Sequence, residues 1–135
     1  MTPLGRRMGR RTRKAEHLEL GDRGEACAAA WLAARGFVVL ERNLRTRHAE
    51  LDILAMEQKV LVAIEVKTRS NHLAPEHLVD TAKLARLQAA LRQLRGILAP
   101  RARGLRVDVV AVRWALPEAA PEILHFRGDV RLCDA

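Results

Sequence analysis

Nine consecutive residues, 60–68 (VLVAIEVKT), constrain this chain more than any other stretch, because they are apolar almost without a break until Glu65 and Lys67. A β-branched-rich run of this kind reads as a strand buried on both faces. Such a strand lies inside a sheet that must be covered on both sides, so the rest of the chain has to supply helices. Residues 24–35 (GEACAAAWLAAR) are Ala-rich and lack Pro and β-branched residues, with Asp22 placed as N-cap and Gly36 as C-terminal stop; they predict a first helix. From Pro75 to Pro100, Leu84, Leu87, Leu91, Leu94 and Leu98 recur at three- and four-residue steps and predict a second helix with a core-facing leucine stripe.

Four more segments carry strand patterns. Residues 37–42 (FVVLER) form a short one, and residues 50–56 alternate cleanly, with Leu51, Ile53 and Ala55 opposed to Glu50, Asp52 and Leu54. Residues 105–112 (LRVDVVAV) and 121–126 (PEILHF) supply two others. The order α-β-β-β-α-β-β, without internal repeat, predicts an α/β protein with a mixed sheet flanked by helices. The length, 135 residues, suits one domain, expected over 20–127 between a basic disordered arm (1–19) and a C-terminal tail (128–135).

The net charge of +8 is unevenly spread. Six positive charges (Arg6, Arg7, Arg10, Arg11, Arg13, Lys14) fall in the first fourteen residues, which hold no acid, leaving 18 basic against 16 acidic elsewhere. The arm, Arg10, Arg11, Arg13 and Lys14 in particular, is therefore expected to seek nucleic acid by screened electrostatics; a solvated tail aiding solubility is the plainer alternative. The body adds its own basic surface: residues 81–107 hold seven Lys/Arg and no Asp/Glu, with Lys83 and Arg86 on the helix and Arg101, Arg103 and Arg106 in the expected exit loop. No apolar run approaches the roughly 18 residues that span a bilayer, and there is no secretory core behind the basic start, so a cytoplasmic protein without membrane contact is expected. Cys27 and Cys133 make no disulfide framework, and the five histidines are scattered, which argues against structural zinc.

The polar residues of the apolar strand matter most. A hairpin looped at Gln58-Lys59 puts Asp52 opposite Glu65 and Glu50 opposite Lys67, all four on one face of the sheet. Directly opposed residues have Cβ atoms about 5 Å apart, near enough for two carboxylates to share a cation. Without one they repel and resist desolvation. Mg²⁺ or Mn²⁺, held by Asp52 and Glu65, would relieve this and suits hydrolysis of a phosphodiester, with Lys67 orienting water or stabilising developing charge. The competing reading makes Glu50 and Lys67 a plain ion pair, and Asp52 and Glu65 ordinary polar residues at the rim. Glu25 is a candidate third carboxylate on the core face of the first helix, although Asp22-x-x-Glu25 also has capping-box spacing. Asp108 is a weaker candidate for the same site, and His48 reads as a loop residue.

These residues resemble the YraN family of bacterial proteins, grouped with restriction-endonuclease-like and Holliday-junction-resolvase-like nucleases. The resemblance rests on Arg23-Gly24-Glu25-Ala26, Arg42-Asn43 with Arg45, Glu50-Leu51-Asp52-Ile53, Glu65-Val66-Lys67-Thr68-Arg69, Lys83 and Asp108-Val109-Val110-Ala111, running from about residue 20 to 127. It implies a restriction-endonuclease-like core, places Asp52, Glu65 and Lys67 on the (D/E)-x-K nuclease signature, and puts Glu25 on the helix carboxylate of the resolvase-like branch. Ala49 stands where the family usually has Gly, and the arm has no counterpart. The implied activity is metal-dependent cleavage of DNA, branched or damaged, with Arg69, Lys83 and Arg86 as further contacts to nucleic acid. A homodimer is expected by analogy with resolvases. The alternative is a non-catalytic nucleic-acid-binding or adaptor protein on the same fold.

Overall fold

The computed structural model describes residues 13–69, 79–116 and 118–133. Helix α1 (Arg13–Ala34) leads into β1 (Val38–Arg45), β2 (Glu50–Glu57) and β3 (Val60–Arg69), followed by α2 (Thr81–Leu98), β4 (Gly104–Arg113), β5 (Glu122–Phe126) and the short β6 (Arg131–Leu132). The sheet order is β1-β2-β3-β4-β5, with β6 also on β4. Among the described residues only β3 and β4 run parallel, as a strand-helix-strand crossover through α2 requires. The mixed sheet between two helices is the fold expected from the sequence.

Alternation along β3 sends its side chains to two separate cores. Leu61 and Ala63 pack with Leu87, Ala90 and Leu91 of α2. Val62 and Ile64 pack with Ala28 and Leu32 of α1. Strand β4 is buried from Gly104 to Val112, sandwiched in the same way. On α2, Asp80 is the N-cap, its carboxylate accepting from Lys83 N–H at 2.7 Å. Leu84, Leu87, Leu91 and Leu94 meet the core as expected, but Leu98, the last residue of the helix, is 46% exposed. The expected start of this helix at Pro75 lies outside the described residues.

Helix α1 departs from expectation at its beginning. It starts at Arg13, not at an Asp22 cap, so Asp22 and Glu25 are interior residues and form no capping box. Gly21 and Gly24, poor helix formers, gave residues 21–24 the look of a boundary. The other end is as predicted: Gly36 takes φ +93 and stops the helix. The C-terminal segment, expected as a tail, returns as β6, with Leu132 opposite Gly104 and Arg131 opposite Leu105.

Candidate functional site

The β2–β3 hairpin closes through Gln58-Lys59, with Glu57 opposite Val60 and Ile53 opposite Ile64. Gln58 takes the positive φ (+53) that a two-residue loop requires. The predicted register therefore holds and brings Asp52 to Glu65. Beyond Ile53 the two strands part. β2 stays with β1 as far as Glu50, while β3 stays with β4 as far as Arg69. In the resulting fork, Val66 N–H donates to Asp52 Oδ2 at 2.8 Å. The parting overturns the expected Glu50–Lys67 pair. Glu50 accepts from Arg45 at 3.1 Å, and Lys67 turns instead to Glu65, 3.5 Å away.

Glu65 is only 6% exposed and carries two ammonium groups on one oxygen. Lys83, from the first turn of α2, is hydrogen-bonded to Glu65 Oε2, the oxygen that Lys67 also approaches. Its place in a basic stretch points Lys83 to a nucleic-acid surface, but in the fold its partner is an acid of the site. Burial pushes the Asp52 carboxyl up to about 7, with the Glu65 and Glu25 carboxylates adding to the rise and the Val66 N–H opposing it.

Glu25 reaches this fork from α1. Burial raises its pKa first, Asp22 and Glu50 add to that, and Arg42 and the hydrogen-bonding side chain of Asn43 oppose it. Its Oε1 is buried and has no hydrogen-bond partner. Arg42 and Asn43 were legible only as part of the family pattern; Asn43 holds φ +54 within β1, a conformation that asparagine tolerates better than most residues. Gly24 sets the approach of α1: a Cβ there would lie 1.9 Å from Thr68 Oγ1.

The remaining candidates are dispersed. Arg69 is half-buried, its guanidinium on the Thr68 carbonyl at 2.9 Å, and Arg86 is exposed on α2. Arg13 and Lys14 belong to α1. Arg10 and Arg11 lie outside the described residues. Asp108 does not join the site: it faces α1 from β4, bound by Arg106 (2.7 and 2.9 Å), His125 (2.8 Å) and Gly128 N–H (3.0 Å). Arg106 is correspondingly not a loop residue but a buried one within β4, also paired with Glu57 at 2.7 Å.

Among the described residues, no three His, Cys, Asp or Glu side chains are gathered so as to hold a metal ion. The oxygens of Asp52 and Glu65, with the orphaned Glu25 Oε1 nearby, nonetheless have the hard-donor chemistry of a Mg²⁺ or Mn²⁺ site. Mg²⁺ is commonly held by one or two carboxylates with waters in its remaining positions, so Asp52 and Glu65 are the residues that could hold it.

Asp52 predicts a pH effect in metal-free protein. Its folded carboxyl binds a proton more tightly than the unfolded one, whose value is near 3.8, so its contribution is fully present below about 4 and is lost as pH rises through about 7. Asp52→Asn removes this dependence and at pH 8 stabilises the metal-free chain by about 1–3 kcal/mol, discounting for partial exposure. Urea unfolding of both chains at pH 5 and pH 8 checks it; a difference independent of pH contradicts it.

The sequence profile of the uncharacterised protein family UPF0102, the same family as YraN, matches residues 24–112. Among curated proteins, a UPF0102 protein of Leifsonia xyli is 40% identical over 116 residues, spanning 83% of this chain and 96% of the relative. One from Anaeromyxobacter dehalogenans is 40% identical over 109 residues, 79% of this chain and 80% of the relative. One from Geotalea uraniireducens is 36% identical over 122 residues, 88% and 94% of the two chains. The matched span runs from the glycine that seats α1 to the end of β4, taking in Glu25, Asp52, Glu65, Lys67 and Lys83, and the chain belongs to the UPF0102 family.

Proposed function

We propose that this protein is a divalent-metal-dependent nuclease that hydrolyses DNA phosphodiester bonds at the fork between β2 and β3. The observation that carries the reading is the pairing of Asp52 with the buried Glu65 there, with Lys67 two residues along on the same face. Two carboxylates held this close in a desolvated place are costly unless something positive joins them. Asp52 and Glu65 would hold Mg²⁺ or Mn²⁺. When bound, such a cation supplies Lewis-acid polarisation of a phosphodiester and a more acidic water. Lys67, a fixed positive charge on rigid β3, stabilises charge developing at the phosphate or orients the attacking water. Glu25, with one oxygen unpartnered, accepts a hydrogen bond from that water. Arg69, Arg86 and the basic N-terminal arm contact the phosphates of the substrate without reading sequence.

The test is cleavage of duplex, single-stranded and four-way branched DNA with Mg²⁺ or Mn²⁺. Asp52→Ala and Lys67→Ala each lower metal-dependent cleavage on the order of 100-fold or more. Wild-type protein that binds these DNAs salt-sensitively yet cleaves none of them replaces this reading with a non-catalytic nucleic-acid-binding one, in which Asp52→Ala leaves binding intact.

A further inference from the structure

We propose that Lys83 is a resident counter-cation of the acidic fork, which leaves Glu65 when a divalent cation enters and is thereby freed to grip the substrate backbone. This rests on the metal-site reading above. The geometry behind it is the double occupancy of one oxygen: Lys83 is hydrogen-bonded to Glu65 Oε2, and Lys67 Nζ lies 3.5 Å from the same atom. With both acids ionised, the charges of Asp52 and Glu65 are already matched by the two lysines, and at the α1 side Glu25 is opposed by Arg42, so the acids are compensated without metal. A doubly charged cation added to the fork leaves a surplus of two positive charges around a carboxylate that is 6% exposed. Like charges crowded in a place of low polarisability repel strongly, and the most mobile of them departs.

The mobile one is Lys83. Its side chain is 34% exposed and hangs from the first turn of a separate element, whereas that of Lys67 is 22% exposed and fixed two residues from Glu65 on the same strand. After release Lys83 keeps its charge and remains at the mouth of the fork, where a phosphate of the substrate would be its next partner. Cation and nucleic acid then strengthen each other's binding, because the first sets free a group that the second uses, and the coupling is reciprocal. Lys83 is thus a positioning residue whose two partners are used in turn.

Two measurements on the full chain test this. Calorimetric titration with Mn²⁺ compares wild type with Lys83→Met, and acetylation of Lys83 by acetic anhydride is followed by mass spectrometry with and without Mn²⁺, exposed Lys59 serving as internal control. Lys83→Met is expected to bind Mn²⁺ about tenfold more tightly, within the usual range of coupling between sites. In wild type, Lys83 acetylation is expected to rise severalfold with Mn²⁺ while Lys59 does not change. Binding by Lys83→Met alone also supports the inference. Measurable Mn²⁺ binding with equal affinity in both chains, or with unchanged Lys83 reactivity, overturns it while leaving the metal site standing. Binding by neither chain overturns the metal site and the inference together.

Discussion

Replacing Asp108 by alanine lowers the unfolding free energy by about 3–5 kcal/mol, read as a fall in the denaturant midpoint at unchanged slope. Asp108 is fully buried, and its neighbour Arg106 is 7% exposed. Two hydrogen bonds join them, and the remaining capacity of the carboxylate is filled by His125 and Gly128 N–H. Removing the acid leaves the guanidinium buried beside Glu57 alone, and the uncompensated charge costs far more than an exposed ion pair contributes. Asp108→Asn keeps the shape but not the charge, and is expected to lie between the two. The pH dependence has the opposite sign to that of Asp52. Burial works to raise the Asp108 pKa, but the bonds from His125, Arg106 and Gly128 outweigh it and hold the group below its ordinary value. Its contribution is present above the unfolded value near 3.8 and is lost as pH falls through the lower folded one. Near neutrality the variant therefore shows its full deficit, and in strong acid the two chains converge. A loss under 1 kcal/mol at pH 7 would show that the network contributes little.

Gly24→Ala costs about 1–3 kcal/mol, despite sitting in the interior of a helix where alanine is favoured over glycine by about 1 kcal/mol. The new Cβ would meet Thr68 Oγ1 at 1.9 Å and the Thr68 Cβ and Cγ2 atoms at 2.9 Å. A rotamer change moves Oγ1 and Cγ2 but not Cβ, which is fixed to the backbone of β3, so α1 itself has to shift. Steric cost then exceeds propensity. Thr68→Ala in the same chain removes the two branch atoms and restores part of the loss, giving a coupling of about 0.5–3 kcal/mol in a double-mutant cycle of unfolding free energies. The position neighbours Glu25, so the displaced helix also carries that carboxylate away from the fork. A fully additive cycle would show that the contact with Thr68 is not what demands glycine.

What the sequence disclosed and what it withheld divide by range of interaction. The hairpin register needed only a two-residue loop and a period of two, so the meeting of Asp52 with Glu65 could be derived. Glu50 and Lys67 share that register on paper. They separate because β2 prefers β1 and β3 prefers β4 beyond Ile53, a competition among strands that a hairpin alone does not reveal. Arg106 looked like surface because it ends a basic stretch, and its partners, the half-buried Glu57 on β2 and the buried Asp108 on β4 itself, are brought to it only by the folded sheet. Asp108 was readable as buried and charged, but not as belonging to the face that α1 covers. Gly21 and Gly24 imitated a helix boundary, since propensity cannot see that the second is small for the sake of Thr68. Lys83 was singled out as a cation, and only the packing of α2 over β3 supplied the acid it touches.

The strand pairings also differ in how much chain they must close. β2 and β3 meet across two residues, whereas the β3–β4 pairing begins with Val60 opposite Gly104. Closing the longer loop costs more conformational entropy, and contacts of that range form late. The acid pair is therefore made by the most local pairing in the sheet, before α2 has been drawn down to bring its lysine.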